Sequence, residues 1–268
     1  MKDVILWELR RRRTALFWWT VGSVAMTVMI LTIFPSIRDQ AAQMNELLNR
    51  LPPEIRNMKA GGAATVDVSN PLDFLNSQLY YATLPLIWII LAVTRGSSTL
   101  GRDESHKTLE LLLARPISRT KLLLAKFFSF AAEFLIVGGA TLLTTLLVAP
   151  IVDMDVAASK ITAATFYTTL FCMSFGVIAF ALQAFSLRTK RMATAIAVTV
   201  GFGGYLLASL ASLTDWLEWP AKLFPYHYFM PLDVLNGKTP SGLLVYLVGA
   251  FGLGLTLAII GFKHRDIE

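Results

Sequence analysis

The chain has 268 residues, of which 55% are hydrophobic and only 16% are charged. A soluble domain carries about a quarter charged residues, so the composition excludes an ordinary soluble globular protein. The net charge of +6 does not indicate nucleic-acid binding, because no basic face interleaved with aromatic residues occurs in a soluble segment. No nucleic-acid partner is therefore expected.

The apolar residues form six blocks, each long enough for the roughly 20 residues that cross a bilayer as a helix. The predicted spans cover residues 14–37, 76–95, 119–152, 161–187, 192–214 and 239–262. We therefore predict an all-α integral membrane protein with six transmembrane helices, which form a single transmembrane domain over residues 1–268.

Lysine and arginine are distributed unevenly between the segments that join these spans. With the N-terminus in the cytoplasm, the inner segments hold 17 of the 24 basic residues and the outer segments hold 7. Because cytoplasmic segments are enriched in Lys and Arg, we predict that both termini are cytoplasmic.

Residues 1–13, MKDVILWELRRRR, predict a short amphipathic helix ahead of the first span. Trp7 is suited to the headgroup level of a bilayer, and the arginines at 10–13 can pair with anionic lipid. The same basic flank can also serve only to orient the first span.

Two outer segments have helical patterns of their own. Residues 38–75 carry apolar residues at helical spacing until Pro52 and Pro53 stop the helix. Residues 215–238 combine aromatic clusters with prolines, which predicts short, broken helices in a re-entrant segment at the outer interface.

The segment between spans two and three has the pattern of a surface helix. Asp103 and Glu104 occupy a first turn, where negative charge is favourable, and Pro116 follows the last turn. The leucines between them form a narrow apolar stripe. Residues 102–116 are therefore predicted to be a helix that docks another protein, with a solvated loop as the alternative.

A second helix is predicted to follow directly. Ser118 can cap a helix that begins at Arg119 and continues into span three. The short helix would thus be held at both ends.

The same stretch resembles the signature of bacterial ABC-2 type transporter permeases. In that family an acidic residue, a Thr-Leu-Glu sequence, a Pro-[Ile/Val]-Ser-Arg sequence and a lysine lie between spans two and three. The matching residues here are Asp103, Glu104, Thr108, Leu109, Glu110, Pro116, Ile117, Ser118, Arg119 and Lys126.

The resemblance implies that residues 102–116 are a coupling helix, which sits in a cleft of a separate ATPase subunit. Two ATPases and two permeases, the second permease being the same chain or a related one, would then export a substrate. Residues 1–13 would be the elbow helix, and the location would be the plasma membrane of a bacterium or archaeon. The implied docking residues are Asp103, Glu104, Thr108, Leu109, Glu110, Leu112, Pro116, Ser118 and Arg119.

A phosphate-binding loop of the form G-x-x-x-x-G-K-[ST] is not found in the sequence. The Gly-Lys-Thr that starts at Gly237 would need a glycine at position 232, which is Leu232. We therefore expect no cofactor in this chain and no enzyme activity of its own, with ATP and Mg²⁺ held by the partner ATPase.

Glu133 is the one acidic residue inside a predicted span. An intramembrane carboxylate is costly, so it is a candidate for the substrate path, or for a hydrogen bond to a neighbouring span. It lies seven residues beyond Lys126, about 10 Å along the helix, which is too far for direct pairing.

Small residues at 138–140 and 201–204, and the glycines at 249, 252 and 254, would allow close helix packing.

Two other functions fit part of the pattern. An ion-coupled secondary transporter would need several intramembrane ionisable groups and helices broken near the midplane, and the sequence has one carboxylate and few mid-span prolines. A non-transporting membrane partner of an ATPase, for immunity or signalling, would share the same sequence features.

Overall fold

The structure is a computed structural model that describes residues 2–50, 67–105, 118–185, 190–211 and 215–263. All regular elements in those ranges are helical. In chain order the α-helices are α1 (Lys2–Arg11), α2 (Arg13–Asp39), α3 (Ala41–Arg50), α4 (Pro71–Phe74), α5 (Thr83–Ser105), α6 (Arg119–Val148), α7 (Ala158–Phe185), α8 (Lys190–Leu210), α9 (Asp215–Ala221), α10 (Pro231–Leu235) and α11 (Ser241–Lys263). A π-helix, Leu75–Tyr80, joins α4 to the turn before α5, and 3₁₀ turns cover Ala149–Val152 and Pro225–Tyr228.

Five helical segments of the described chain are long and apolar enough to cross a membrane. They are Arg13–Asp39, Pro71–Leu100, Arg119–Val152, Ala158–Ala184 and Ser241–Lys263. The fifth predicted span, 192–214, falls on α8, whose apolar part Val198–Leu210 is shorter than these five. The all-α membrane fold is therefore confirmed, and six spans stay a prediction.

Contacts between residues that are far apart in the sequence identify one end of the helix bundle. Arg119, at the start of α6, donates a hydrogen bond from Nη1 to the carbonyl oxygen of Lys263, at the end of α11 (3.4 Å). α1 packs against α6 as well. We call this the α1 end, and the opposite end then holds the start of α11 and the short helices α9 and α10.

Helix α7 lies at the centre and packs against α5, α6, α8 and α11. Its closest neighbour is α5, which crosses it at Gly96 and Gly176. A Cβ added to Gly96 would collide with the backbone oxygen of Gly176, and one added to Gly176 would collide with the Phe130 ring and lie 2.7 Å from the oxygen of Ala92. Only glycine lets the two backbones approach this closely.

The small residues noted in the sequence divide into two groups. A Cβ on Gly138 would lie 2.6 Å from the Thr169 side chain, and one on Gly254 would lie 2.6 Å from Val177, so both glycines lie in close helix contacts. A Cβ on Gly139, by contrast, would have no neighbour within 4 Å among the described residues.

The segment before α11 consists of short helices, as the prolines predicted, and aromatic rings hold it against the bundle. The Phe229 ring stacks on Phe171 of α7, with centroids 4.1 Å apart and planes at 2°. Tyr226 meets the same Phe171 edge-on at 5.0 Å. The Tyr81 hydroxyl bonds to the Ser209 hydroxyl of α8 at 3.2 Å and so links the second span to α8 at this end.

The second span is longer than its sequence pattern suggested. The Asn70 side chain caps its start by accepting from the amide of Leu72 at 3.0 Å. At the other end α5 runs on to Ser105, so that Arg95 lies inside the helix and is only 6% exposed. A buried guanidinium group needs acceptors or an opposite charge close by.

We predict that Gly176→Ala lowers the free energy of unfolding by about 1–3 kcal/mol, the usual cost of overpacking a core. Thermal unfolding of the detergent-purified protein would measure the loss. Gly139→Ala is the matched control, because its added methyl group meets open space and alanine favours helix. Equal unfolding temperatures for the two variants would contradict the close crossing of α5 and α7.

Candidate coupling site

Most of the docking residues implied by the family resemblance lie outside the described residues. Asp103 and Glu104 fall in the last turn of α5, of which only the backbone is described. The docking residues that lie outside the described residues are Thr108, Leu109, Glu110, Leu112 and Pro116. The site is therefore built from the residues that flank the segment 106–117.

Ser118 caps α6 as its sequence predicted. Its hydroxyl oxygen accepts from the amide of Lys121 at 3.3 Å, and its own backbone is extended. Arg119 follows and contacts Lys263 through the hydrogen bond described above. The chain thus returns from the segment 106–117 into a helix whose first turn is capped and connected to α11.

Helix α1 presents one polar edge to the bundle. Glu8 lies in α1, and Arg12 follows in the turn before α2. The Arg12 amide donates to the carbonyl oxygen of Glu8 at 3.1 Å, so the two side chains, four residues apart, share one face. Both are buried, with exposures of 2% and 5%. The Arg12 Nε lies 3.4 Å from Glu8 Oε2.

Lys126 of α6 reaches this edge. It is 0% exposed, and its Nζ donates to Glu8 Oε1 at 2.8 Å and to the carbonyl oxygen of Thr99 at 3.3 Å. Arg12 donates to Ser98 of α5 twice, from Nη1 to the hydroxyl and from Nη2 to the carbonyl oxygen, both at 3.1 Å. We call Glu8, Arg12 and Lys126 the first tier, and it joins α1, α5 and α6.

A second ion pair joins α5 and α6 further from the α1 end. Arg95 donates from Nε to Oε2 of Glu133 at 2.5 Å, and its Nη2 also contacts that oxygen. Glu133 is 5% exposed. Seven residues separate Lys126 from Glu133, so this second tier (Arg95 and Glu133) lies about 10 Å further along α6.

The two tiers are connected along α5. Thr99 accepts from Lys126 through its carbonyl oxygen and donates from its hydroxyl to the carbonyl oxygen of Arg95 at 2.5 Å. A continuous series of polar contacts therefore leads from α1 into the bundle.

The net contribution of these buried ion pairs to the free energy of folding is limited by desolvation. Removing charges from water costs several kcal/mol per ion, which mutual attraction offsets only when hydrogen bonds satisfy the remaining atoms. Lys126 meets that condition, with a carboxylate and a carbonyl oxygen as acceptors. Removing either partner would leave the other charge buried and uncompensated.

Sequence reasoning found Glu133 but not its partner. Glu133 was a candidate for the substrate path or for a hydrogen bond to a neighbouring span. In the structure, Arg95 of a neighbouring span lies against its carboxylate. Lys126 pairs with Glu8 instead, in keeping with the distance argument. The four-residue spacing of Glu8 and Arg12 in an amphipathic helix was a usable signal for the first tier.

We predict that Lys126→Met lowers the free energy of unfolding by about 3–5 kcal/mol, because it leaves Glu8 buried with less compensation. Adding Glu8→Gln should restore much of the loss, since the unpaired charge is then gone. Thermal unfolding in detergent of both single variants and the double variant completes the cycle.

Lys222→Met is the control for that cycle. Lys222 also lies 2.8 Å from a carboxylate, Glu218, but both side chains are more than half exposed. The loss there should stay below about 1 kcal/mol. Additive single-variant losses in the cycle would show that Glu8 and Lys126 do not interact.

Comparison with known proteins places the chain in a family. The family model described as ABC-2 family transporter protein matches residues 3–266, which include both tiers and the five described helical segments that are long and apolar enough to cross a membrane. No curated protein matches the chain. Since the match covers nearly the whole sequence, this multi-pass membrane protein belongs to the ABC-2 family of transporters.

Proposed function

We propose that the chain is an exporting permease, driven by two ATPase subunits that bind the segment 102–116 and hold ATP and Mg²⁺. Family membership makes it a permease of an ABC transporter, associated in general with an ABC ATPase. The proposal adds the export direction, the docking segment and a second permease, identical or related. It also puts both termini in the cytoplasm and the complex in the plasma membrane of a bacterium or archaeon, with no catalysis by this chain itself.

The first tier is the observation that carries the coupling role. α5 leads into the segment 106–117 and α6 leads out of it, and the first tier joins both helices to α1. Ser98 and Thr99 lie on one flank and Lys126 on the other. A force applied to the segment would therefore act on three helices together.

A contiguous set of contacts supports transmission from there to the opposite end. The Arg95–Glu133 pair holds α5 to α6, and the adjacent Gly96 packs against α7. Further along the second span, Tyr81 bonds to Ser209 of α8. Coupling between distant sites needs packed elements of this kind that can adopt two arrangements.

The ion pairs also favour an ATP-driven permease over an ion-coupled transporter. Such a transporter exchanges protons or ions at intramembrane groups. Here Arg95 and Glu133 neutralise each other, and Lys126 is held by Glu8. A non-transporting partner of an ATPase would keep the same docking segment and is separated from export by a flux assay.

We predict that a P-loop ATPase co-purifies with the detergent-solubilised wild-type protein from its native membrane. The double variant Glu104→Ala/Leu109→Asp should lose it, because a contact carboxylate and an apolar anchor are replaced. Immunoblotting and mass spectrometry of the eluate give the readout.

Glu218→Ala/Leu223→Asp is the matched control. It makes the same two changes in exposed residues at the opposite end, so the ATPase should be retained. Size-exclusion profiles establish that both variants are folded. If the ATPase is absent from the wild-type eluate, or is retained by the first variant, the segment 102–116 is not the docking site.

We further predict that the first tier is needed for transmission but not for docking. A cysteine placed at Thr239, exposed at the opposite end, would be labelled with a maleimide in the absence of nucleotide and after trapping with MgATP and vanadate. In the otherwise wild-type complex the labelling rate should change by about fivefold or more, a usual size for coupling. The native Cys172 is buried and should not react.

In the Glu8→Gln/Lys126→Met background the ATPase should still co-purify, while the change in labelling rate should largely disappear. The Lys222→Met background is the control and should respond like wild type. A full response in the double variant would show that movement passes through other contacts.

A further inference from the structure

Helix α1 has two opposite faces. Successive residues turn by about 100°, so the buried Glu8 and Arg12 lie on one side. Leu6 and Trp7 lie on the other side and are 51% and 44% exposed. Arg10 shares that outer side and is exposed, like the neighbouring Arg11 and Arg13. The exposed Asp3, seven residues before Arg10, lies on the same side. We call this surface, with its three guanidinium groups and one carboxylate, the outer face: Asp3, Leu6, Trp7, Arg10, Arg11 and Arg13.

We propose that the outer face binds the headgroup of an anionic phospholipid in the leaflet at the α1 end. Guanidinium groups match the geometry of phosphate oxygens and form paired, charge-assisted hydrogen bonds with them. Leu6 and Trp7 supply the apolar and aromatic surface that sits at the boundary between headgroups and acyl chains.

The depth of the outer face follows from the helix that comes after it. Helix α2 begins at Arg13, and Phe17 and Trp18 in its first turns are 59% and 65% exposed. Four residues of helix separate Arg13 from Phe17, a distance of about 6 Å. Arg13 is therefore about one turn of helix away from side chains that face the hydrocarbon. Lipid phosphates lie at this level of the bilayer, just outside the hydrocarbon.

The contact made by Arg11 agrees with a location at the level of the lipid headgroups. Its guanidinium carbon lies 5.0 Å from the centre of the Trp7 ring, a cation–π contact. The contact holds the charge beside an aromatic ring at the interface. A single headgroup near Trp7 would thus meet a cation that is already positioned.

Lipid binding on this face bears on the first tier, because the two share one helix. A headgroup bound on the outer side would hold α1 at the bilayer interface while Glu8 contacts Lys126 on the inner side. The inference needs only the membrane location of the chain, which the family match and the long apolar helices show. It stands or fails independently of the ATPase.

Trp7 supplies the measurement. The protein is reconstituted in phosphatidylcholine bilayers that contain brominated phosphatidylglycerol, and tryptophan quenching is compared with that by brominated phosphatidylcholine. Subtracting the signal of Trp7→Phe isolates Trp7 from the other five tryptophans. We expect the anionic lipid to be preferred at Trp7 by about fivefold or more, since each basic residue near an anionic surface contributes about that factor.

The variant Arg10→Gln/Arg11→Gln/Arg13→Gln should bring this preference close to unity. None of these residues belongs to the first tier, so the unfolding temperature in detergent should stay near that of wild type and establish that the variant folds. The control Arg50→Gln/Lys222→Gln/Lys238→Gln removes the same number of charges from the opposite end, where each is exposed and paired. The control should keep the preference.

Two results would overturn the proposal. One is a wild-type protein without preference for phosphatidylglycerol at Trp7, or a preference that survives the triple glutamine variant. The other is loss of the preference on adding inorganic phosphate at matched ionic strength, which would show that the outer face binds free phosphate rather than a lipid headgroup.

Discussion

A lysine with no exposed surface is the constraint around which the α1 end is built. Lys126 lies near the start of a membrane-spanning helix, where water is scarce, and its ammonium group needs acceptors. The protein supplies a carboxylate from α1 and a carbonyl oxygen from α5. Neither α1 nor α5 can move away from α6 without exposing an uncompensated charge, so the N-terminal helix is part of the bundle.

An apolar contact would also hold helices together, but with less selectivity. Apolar side chains in a membrane pack almost as well against lipid as against each other, so they specify register weakly. A charge pair has one satisfied arrangement. The Lys126–Thr99 hydrogen bond and the Arg95–Glu133 pair, about 10 Å apart along α6, hold α5 to α6 at two points, and a slip of either helix would break both contacts.

The sequence predicts what depends on near neighbours in the chain. Apolar blocks of sufficient length predict membrane helices, and a serine directly before a helix that begins at Arg119 predicts the Ser118 cap, which the structure confirms. The partners of Glu133 and Lys126 could not be predicted, because Arg95 and Glu8 lie 38 and 118 residues away. Gly96 and Gly176 gave no sign of their contact, since a glycine does not reveal which helix it will meet.

If the second span tilts about its close crossing at Gly96, its two ends move by unequal amounts. Gly96 is about 13 Å from Ser105 at the α1 end and about 22 Å from Tyr81 towards the opposite end, counting 1.5 Å per residue. A tilt of about 5° around this fulcrum would shift Ser105 by about 1 Å and Tyr81 by about 2 Å in the opposite direction. A shift of about 2 Å that moved Tyr81 away from Ser209 would break their hydrogen bond, which is 3.2 Å long. Such a tilt would turn a small displacement next to the segment 106–117 into the loss of a contact at the opposite end of the bundle.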